Sequence, residues 1–248
     1  MILASDFDNT LYFPDGFHEK DLAAIDRFRA AGHLFGLCTG RPLCGLTPFT
    51  APSGLVPDFW ITNTGGSLYN KDEQVIFEKT FPKDVVLEAV RPYNVSVSVM
   101  ADNVMYFDRE DAHFREHVVA VHSPADVPAE DISAFNFHFP EGEIEGARQC
   151  AADINTRFKG ILSAYQNNVH VDVCACGCSK GEGTKRIADY FGVPMNQVAG
   201  IGDSWNDLPL LEAAGIAITF DSSPEDVKAR AALIVPDLAS AVDKLMNL

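Results

Sequence analysis

A short apolar run that ends in two acids, Ile2-Leu-Ala-Ser5 followed by Asp6-Phe7-Asp8, constrains this chain more than any other stretch. A run of that length and composition reads as a strand. Side chains two apart in an extended backbone point the same way, so Asp6 and Asp8 can share one side of the strand's C-terminal end. In open parallel α/β sheets that end is where ligand sites collect. Two carboxylates so close repel unless a cation or a shared proton compensates them. A solvated turn is the plain alternative, because Asp and Asn are common just after strands. The rest of the chain decides between the two.

A βαβ unit comes next. Residues 19–31 carry Leu22, Ile25, Phe28 and Ala31 at helical spacing, and Gly32 stops the helix. Residues 33–38 form a second strand, closing on Thr39-Gly40-Arg41, and such units are right-handed. Residues 60–63 and 75–77 read as further strands. From Lys83 the rhythm changes. Lys83–Val90 reads as a helix, 95–99 alternates as a strand, and Val104–Phe107 pairs with it across Asp102-Asn103. A helix is expected over about 110–121, a strand over 132–137 and a helix over 143–158. A last hairpin, 163–166 with 170–173, turns at Asn167-Asn168. The first rhythm then resumes with helix Lys180–Phe191, strand Val198–Ile201, helix 207–214 and strand 216–218. A helix around 224–231, strand Leu233–Val235 and helix Leu238–Leu245 complete it. The expected fold class is α/β. A Rossmann-like core with a parallel sheet, residues 1–82 and 179–248, is interrupted by an inserted α+β domain over 83–178.

Charge narrows the partners. Asp plus Glu total 35 against 19 Lys plus Arg, a formal net charge of -16, so the surface repels phosphate backbones and nucleic acid is excluded. An anionic small molecule needs a bound cation or a local basic site to approach it. No apolar run is long enough to span a membrane, and no basic-then-apolar start marks a signal peptide. Reduced cysteines are the rule in a chain with this much core, and a cytoplasmic protein is expected.

Four stretches set polar groups beside a short apolar strand or at a helix start: Asp6-x-Asp8-x-Thr10, Thr39-Gly40-Arg41, Ser179-Lys180-Gly181 and Gly202-Asp203-Ser-Trp-Asn206-Asp207. If the strand-end stretches are neighbours in one sheet, Asp6, Asp8, Asp203 and Asp207 cluster. Such a cluster is costly without Mg2+, which favours oxygen ligands completed by water and substrate phosphate. Lys180 at a helix N-terminus, where free N–H groups add to its charge, suits an anion. Thr39 and the N–H groups after it can donate to the same anion. These residue types suit phosphoryl transfer.

In order and spacing the four stretches resemble the motifs of the haloacid dehalogenase superfamily of phosphohydrolases. The resemblance implies that Asp6 is the nucleophile, forming an aspartyl-phosphate, and that Asp8 is the general acid and then the base. Thr39 would hold the phosphate and Lys180 stabilise the transferring oxygens. Mg2+ would be bound by Asp6, the backbone carbonyl of Asp8 and Asp203, with Asn206 and Asp207 orienting Lys180 and the metal's waters. Thr39, Gly40, Arg41, Lys180 and Asn206 would meet the substrate. Only a loop and one helix fit between Asp8 and Thr39, whereas the α+β segment lies between Thr39 and Lys180. That placement resembles the larger, C2-type cap of the Cof-like sugar-phosphate phosphatases and of phosphomannomutase. Helix-strand-strand units at both ends of the segment resemble the Cof-like, C2B subtype, with hinges near Pro82 and Cys178. The resemblance implies a Mg2+-dependent phosphomonoesterase acting on a small phosphorylated metabolite, a sugar phosphate or related polyol. A phosphomutase or phosphotransferase using Asp6 and Asp8, and a non-catalytic binding protein that keeps the fold, stay open beside it. Oligomeric state is not legible.

Several residues carry a second reading. Asn9 stands where these families commonly have Gly, and Asn tolerates left-handed dihedrals. Trp205 either packs under its loop or lines the substrate entrance. Cys174, Cys176 and Cys178 alternate without a second cluster, which is poor zinc geometry, and read as structural thiols. His138 can face the cleft from the end of a strand, whereas His122 and His170 have no such positional argument.

Overall fold

The computed structural model describes residues 1–108 and 118–248. In chain order, β1 (Ile2–Ser5), β2 (Leu34–Cys38), β3 (Phe59–Thr62), β4 (Ser67–Asn70) and β5 (Val75–Glu78) belong to one sheet. A second sheet holds β6 (Ser96–Ala101), β7 (Val104–Phe107), β8 (Val118–Ala120), β9 (Ala134–His138), β10 (Leu162–Asn167) and β11 (His170–Ala175). The strands β12 (Val198–Ile201), β13 (Ile216–Phe220) and β14 (Leu233–Val235) return to the first.

The first sheet has the order β14-β13-β12-β1-β2-β3-β4-β5. Its pairs are parallel from β14 to β3, and β4 and β5 are added antiparallel. The chain leaves β1 toward β2 and β3, then returns to β12, β13 and β14 on the other side. Connections therefore diverge at the C-terminal ends of β1 and β12, where a doubly wound sheet opens a crevice. Alternation along β1 feeds two apolar layers. Leu3 packs with Ile25 and Phe28 of the helix Glu19–Ala30 and with Leu238 and Val242 of Leu238–Leu245. Ile2 and Ala4 pack with Ile187 and Ala188 of Lys180–Phe191 and with Leu210 of Leu208–Ala213.

The second sheet runs β8-β7-β6-β9-β11-β10 and is antiparallel except for β7 with β8. Val97, Val99, Phe135, Phe137, Val171 and Val173 point to one face, which the helices Lys83–Val90 and Ile144–Arg157 cover. The intervening residues Ser98, Asn136, His138, His170 and Asp172 occupy the opposite face and border the cleft over the ends of β1 and β2. A polar residue at every second position therefore builds a wall for the site instead of a core.

Most of the helix expected over about 110–121 lies outside the described residues. Its end, Val118–Ala120, is a strand parallel to β7, as its two β-branched residues favour. The strand expected over 132–137 breaks at Ser133: Asp131–Ile132 pairs with Phe81–Pro82, and β9 follows. Register sets Asn167 opposite His170, so the last hairpin turns one residue later than expected, at Asn168 and Val169. The helix Thr47–Ser53 and strand β4 were not foreseen.

Candidate active site

The end of β1 positions the first acids. Phe7 continues the Leu3 side into the apolar layer, which turns Asp6 the other way, toward the cleft. Asn9 then takes φ +57°, the left-handed turn foreseen for it. Lys180 reaches Asp6 from the start of its helix, where the Ser179 hydroxyl accepts the Glu182 N–H at 3.0 Å and caps the first turn. Its ammonium, fully buried, donates to Asp6 Oδ1 at 2.6 Å and to Asp207 Oδ1. Asp207 Oδ2 in turn accepts the backbone N–H groups of Asp203 and Ser204 at 3.0 and 3.1 Å. Asp203 follows β12 and accepts the Thr10 hydroxyl at 3.3 Å.

The loop after β2 is held from below. Thr39 donates its N–H to Ile61 O at 2.8 Å, and Asn63 and Thr64 donate theirs to Arg41 O and Thr39 O, each at 3.0 Å. This support uses a run of left-handed residues, Asn63, Thr64 and Gly65. Only glycine fits the last, since a Cβ there would lie 2.0 Å from Ser179 O. Arg41 forks onto Asp8, Nε to Oδ2 at 2.8 Å and Nη2 to Oδ1 at 2.7 Å. Its guanidinium also lies over the Phe7 and Phe49 rings.

Above these groups stands the polar face of the second sheet. Asp172 is buried, accepts from Asn206 Nδ2 at 3.3 Å and Asn167 Nδ2 at 3.4 Å, and comes so near the loop that a Cβ on Gly40 would meet its Oδ2 at 2.8 Å. Between the two lies a cleft of about 590 Å³, bordered by Asp6, Asp8 and Thr39 on one side and Ser98, His138 and His170 on the other. Gly40, Arg41, Asp203 and Asn206 line it too, as does Trp205, whose Nε1 donates to Asp226. Sequence reasoning passed over Ser98, His170 and Asp172. The signal was present in the alternation His170-Val-Asp172-Val, which sets two polar side chains on the face opposite the valines. Cys174 and Cys178 are buried free thiols, and Cys176 is partly exposed. Burial pushes the first two up in pKa, away from reactive thiolate.

The profile of the haloacid dehalogenase-like hydrolases matches residues 3–241. The chain belongs to this family. Among relatives of this hydrolase, the 5-amino-6-(5-phospho-D-ribitylamino)uracil phosphatase YitU of Bacillus subtilis (strain 168) is 26% identical over 242 residues, covering 92% of this chain and 88% of the relative. The pyridoxal phosphate phosphatase YbhA of Escherichia coli (strain K12) is 23% identical over 256 residues, 95% and 93% of the two chains. A solved structure described as the HAD subclass IIB sugar phosphatase BT4131 superposes with TM-score 0.84 at 18% identity, over 100% of this chain and 99% of that one. Like it, this hydrolase has the haloacid dehalogenase fold. Among the described residues no helix is long and apolar enough to cross a membrane.

The acids of this hydrolase have the chemistry of a hard-cation site. One oxygen each from Asp6, Asp203 and Asp207 lies within 4.8 Å of the others. Burial, and then the charge of Asp207, raise the pKa of Asp6 well above the carboxylate range and push Asp203 up to about 6. Burial disfavours charge on Lys180 as well, yet Asp207 and Asp6 beside it hold its pKa above that of an ordinary lysine. One ammonium among three carboxylates leaves an excess of negative charge, and an all-oxygen donor set with that excess fits Mg2+. Asp207 is already taken by Lys180 and two N–H groups, so Asp6 and Asp203 are the side chains left to bind. The Asp8 carboxylate stands apart, on Arg41. Mg2+ is therefore expected to raise the melting temperature over that in chelator. Near 100 times its Kd the gain is about 2.7 kcal/mol, or several degrees for a chain of this size. Thermal melts across a Mg2+ titration measure it, and a flat response would remove the cation site.

Proposed function

We propose that this hydrolase is a Mg2+-dependent phosphomonoesterase acting on a small phosphorylated metabolite through an aspartyl-phosphate. The observation that carries the reading is the Asp6 carboxylate at the sheet's switch point, held on buried Lys180 beside Asp203 and open to a closed-over cleft. The names of YitU, YbhA and the superposed sugar phosphatase support the substrate class, since each is a phosphatase of a small phosphorylated or sugar compound.

Asp6 attacks phosphorus, and the bond to the leaving oxygen breaks as that oxygen takes a proton from Asp8. Water, giving its proton back to Asp8, then attacks the acyl phosphate and releases inorganic phosphate and free Asp6. Thr39 and the N–H groups of its loop hold the phosphate, and Gly40 lets that loop lie close under Asp172. Lys180 neutralises the oxygens of nucleophile and phosphoryl group, while Asn206 and Asp207 fix Lys180 and the loop around it. Asp6, Asp203 and the backbone carbonyl of Asp8 would hold Mg2+, which would supply further charge neutralisation on the phosphoryl group. The Arg41 fork occupies both oxygens of Asp8, so delivering a proton to the leaving group requires that pair to open during turnover. Residues 83–178 are read as a C2-type cap of the C2B arrangement on a core of 1–82 and 179–248, moving about Pro82 and Cys178 to exclude water. We place the enzyme in the cytoplasm.

Phosphate release from a panel of phosphorylated sugars, nucleotides, phosphoglycolate, phosphoserine and pyridoxal phosphate, with Mg2+ and with excess chelator, tests the reading. Release that depends on Mg2+ is expected. Turnover only with a bisphosphate activator, and without net phosphate release, would replace the hydrolase by a mutase. Asp8→Asn should lower kcat by about 10² to 10⁴, the usual worth of a positioned acid. It should do so least for substrates whose leaving group needs no proton, such as p-nitrophenyl phosphate. An equal loss on every substrate would remove Asp8 from the acid role.

A further inference from the structure

The roof of the cleft carries a histidine pair that the proposed phosphoryl transfer does not use. His138 and His170 face one another through their Nδ1 atoms, 3.1 Å apart, with the rings crossed edge to face. Ser98 Oγ lies 2.9 Å from His138 Nε2. A neutral imidazole has one N–H, so a hydrogen bond between two Nδ1 atoms takes one proton between them. When His170 supplies it, the His170 Nε2 is a bare acceptor. When His138 supplies it, the His170 Nε2 carries the proton and donates. That nitrogen makes no hydrogen bond to a described residue, and the side chain borders the cleft. His170 thus offers the cleft an uncharged group that can donate or accept according to the tautomer of the pair. Burial lowers its pKa, against the pull of Asp172 and Asp8, which favours the neutral ring. Four carboxylates, Asp6, Asp8, Asp172 and Asp203, border the same space, with the Arg41 guanidinium paired to Asp8.

We propose that His170, oriented by His138, is the specificity contact for a hydroxyl of the leaving group, and that the enzyme selects monophosphates whose remaining part is an uncharged polyol. This rests on the phosphatase reading. A hydroxyl donates and accepts, so it matches either tautomer. A second phosphate or a carboxylate only accepts, and it meets the acids that border the cleft. An anion can use only the donating tautomer, whereas a hydroxyl can use both, so rejection comes chiefly from repulsion. His138 is a positioning residue, and His170 is the group that touches substrate.

Steady-state kinetics on matched probes test this: glycerol 3-phosphate against 3-phosphoglycerate, glucose 6-phosphate against 6-phosphogluconate, and fructose 6-phosphate against fructose 1,6-bisphosphate. The reference is p-nitrophenyl phosphate, whose leaving group has no hydroxyl to be read. In the pair used best, the uncharged member should lead by about tenfold or more in kcat/KM. His170→Ala should lower kcat/KM for that member by roughly 10- to 100-fold, mainly through KM, and by about ten times more than it lowers the p-nitrophenyl phosphate value. His170→Gln, which keeps a donor and an acceptor on one amide, should recover most of the loss. Equal losses on sugar and aryl phosphate would make His170 structural and overturn the proposal. So would preference for the anionic members by the unaltered enzyme, or no rescue by Gln. Absence of phosphate release from every probe, the aryl phosphate included, would sink the phosphatase reading and this inference with it.

Discussion

Asp6→Asn should abolish turnover while leaving the protein folded. The carboxylate is the proposed attacking group, and an amide in its place cannot form the acyl phosphate. Removing a nucleophile that works in a concerted set costs on the order of 10⁶ in kcat, which puts the variant below detection in a phosphate-release assay. Stability should change little or rise. Asp6 lies against Asp207 and Asp203 as well as Lys180, and burial and Asp207 already raise its pKa, so a neutral amide removes repulsion. Lys180 keeps its other partner, Asp207. The check is a pair of measurements on one preparation, thermal melting and turnover of the best substrate of the panel. A short incubation of the unaltered enzyme with phosphate-labelled substrate should also trap label that hydroxylamine removes, as an acyl phosphate requires, and Asp6→Asn should trap none. Turnover retained within tenfold, in a variant that melts normally, would end the assignment of Asp6 as nucleophile.

The fold was most legible where a strand or helix is bounded by strong punctuation. Ser179 caps Lys180–Phe191 and Gly192 closes it at φ +66°, so spacing and caps agree on both ends. Val198–Ile201 is a buried parallel strand and Leu233–Val235 a parallel edge strand, and both read as short apolar runs. Strand β4 escaped because Ser67 and Asn70 dilute its apolar pair and the glycines before it read as a loop. Its pairing comes from β3 and β5 on either side, a tertiary fact. Val118–Ala120 is a strand because β7 offers it an edge, which no local pattern announces.

Within the site, the motif residues could be read because each follows a strand or opens a helix, and the sheet order brings those points together. Two features could not. Arg41 forks onto Asp8, though only its place after Thr39 was visible, because side-chain pairing across 33 positions leaves no periodic trace. The roof depends on register. A shift of one residue in β11 would turn Val171 and Val173 to the cleft and bury His170 and Asp172 in the core. The alternation marks two faces in the sequence, but only the pairing of β11 with β9 and β10 says which one looks down on Asp6.

Lys180→Met should be the most disruptive single change in the core. Lys180 is wholly buried, with Asp6 and Asp207 scarcely more exposed, so its removal strands carboxylates in a dry site. Breaking a buried ion pair from one side costs about 3–5 kcal/mol, which urea denaturation in chelator should show as a lower midpoint with an unchanged slope. Turnover should fall by at least 10² to 10³, the range for losing one preorganised donor to developing charge. The two effects separate in a cycle. Asp6→Asn in the Lys180→Met background should restore part of the lost stability, because it removes one stranded charge, and should restore no activity, because the nucleophile is gone too. Saturating Mg2+ should also recover part of the stability of Lys180→Met, since a cation there supplies the charge the lysine took away. A Lys180→Met variant as stable as its parent would mean that the carboxylates shed their charge without loss. If Asp6→Asn then added its full effect independently, the ion pair would not couple the strand end to the helix, and the electrostatic account of the site would fail.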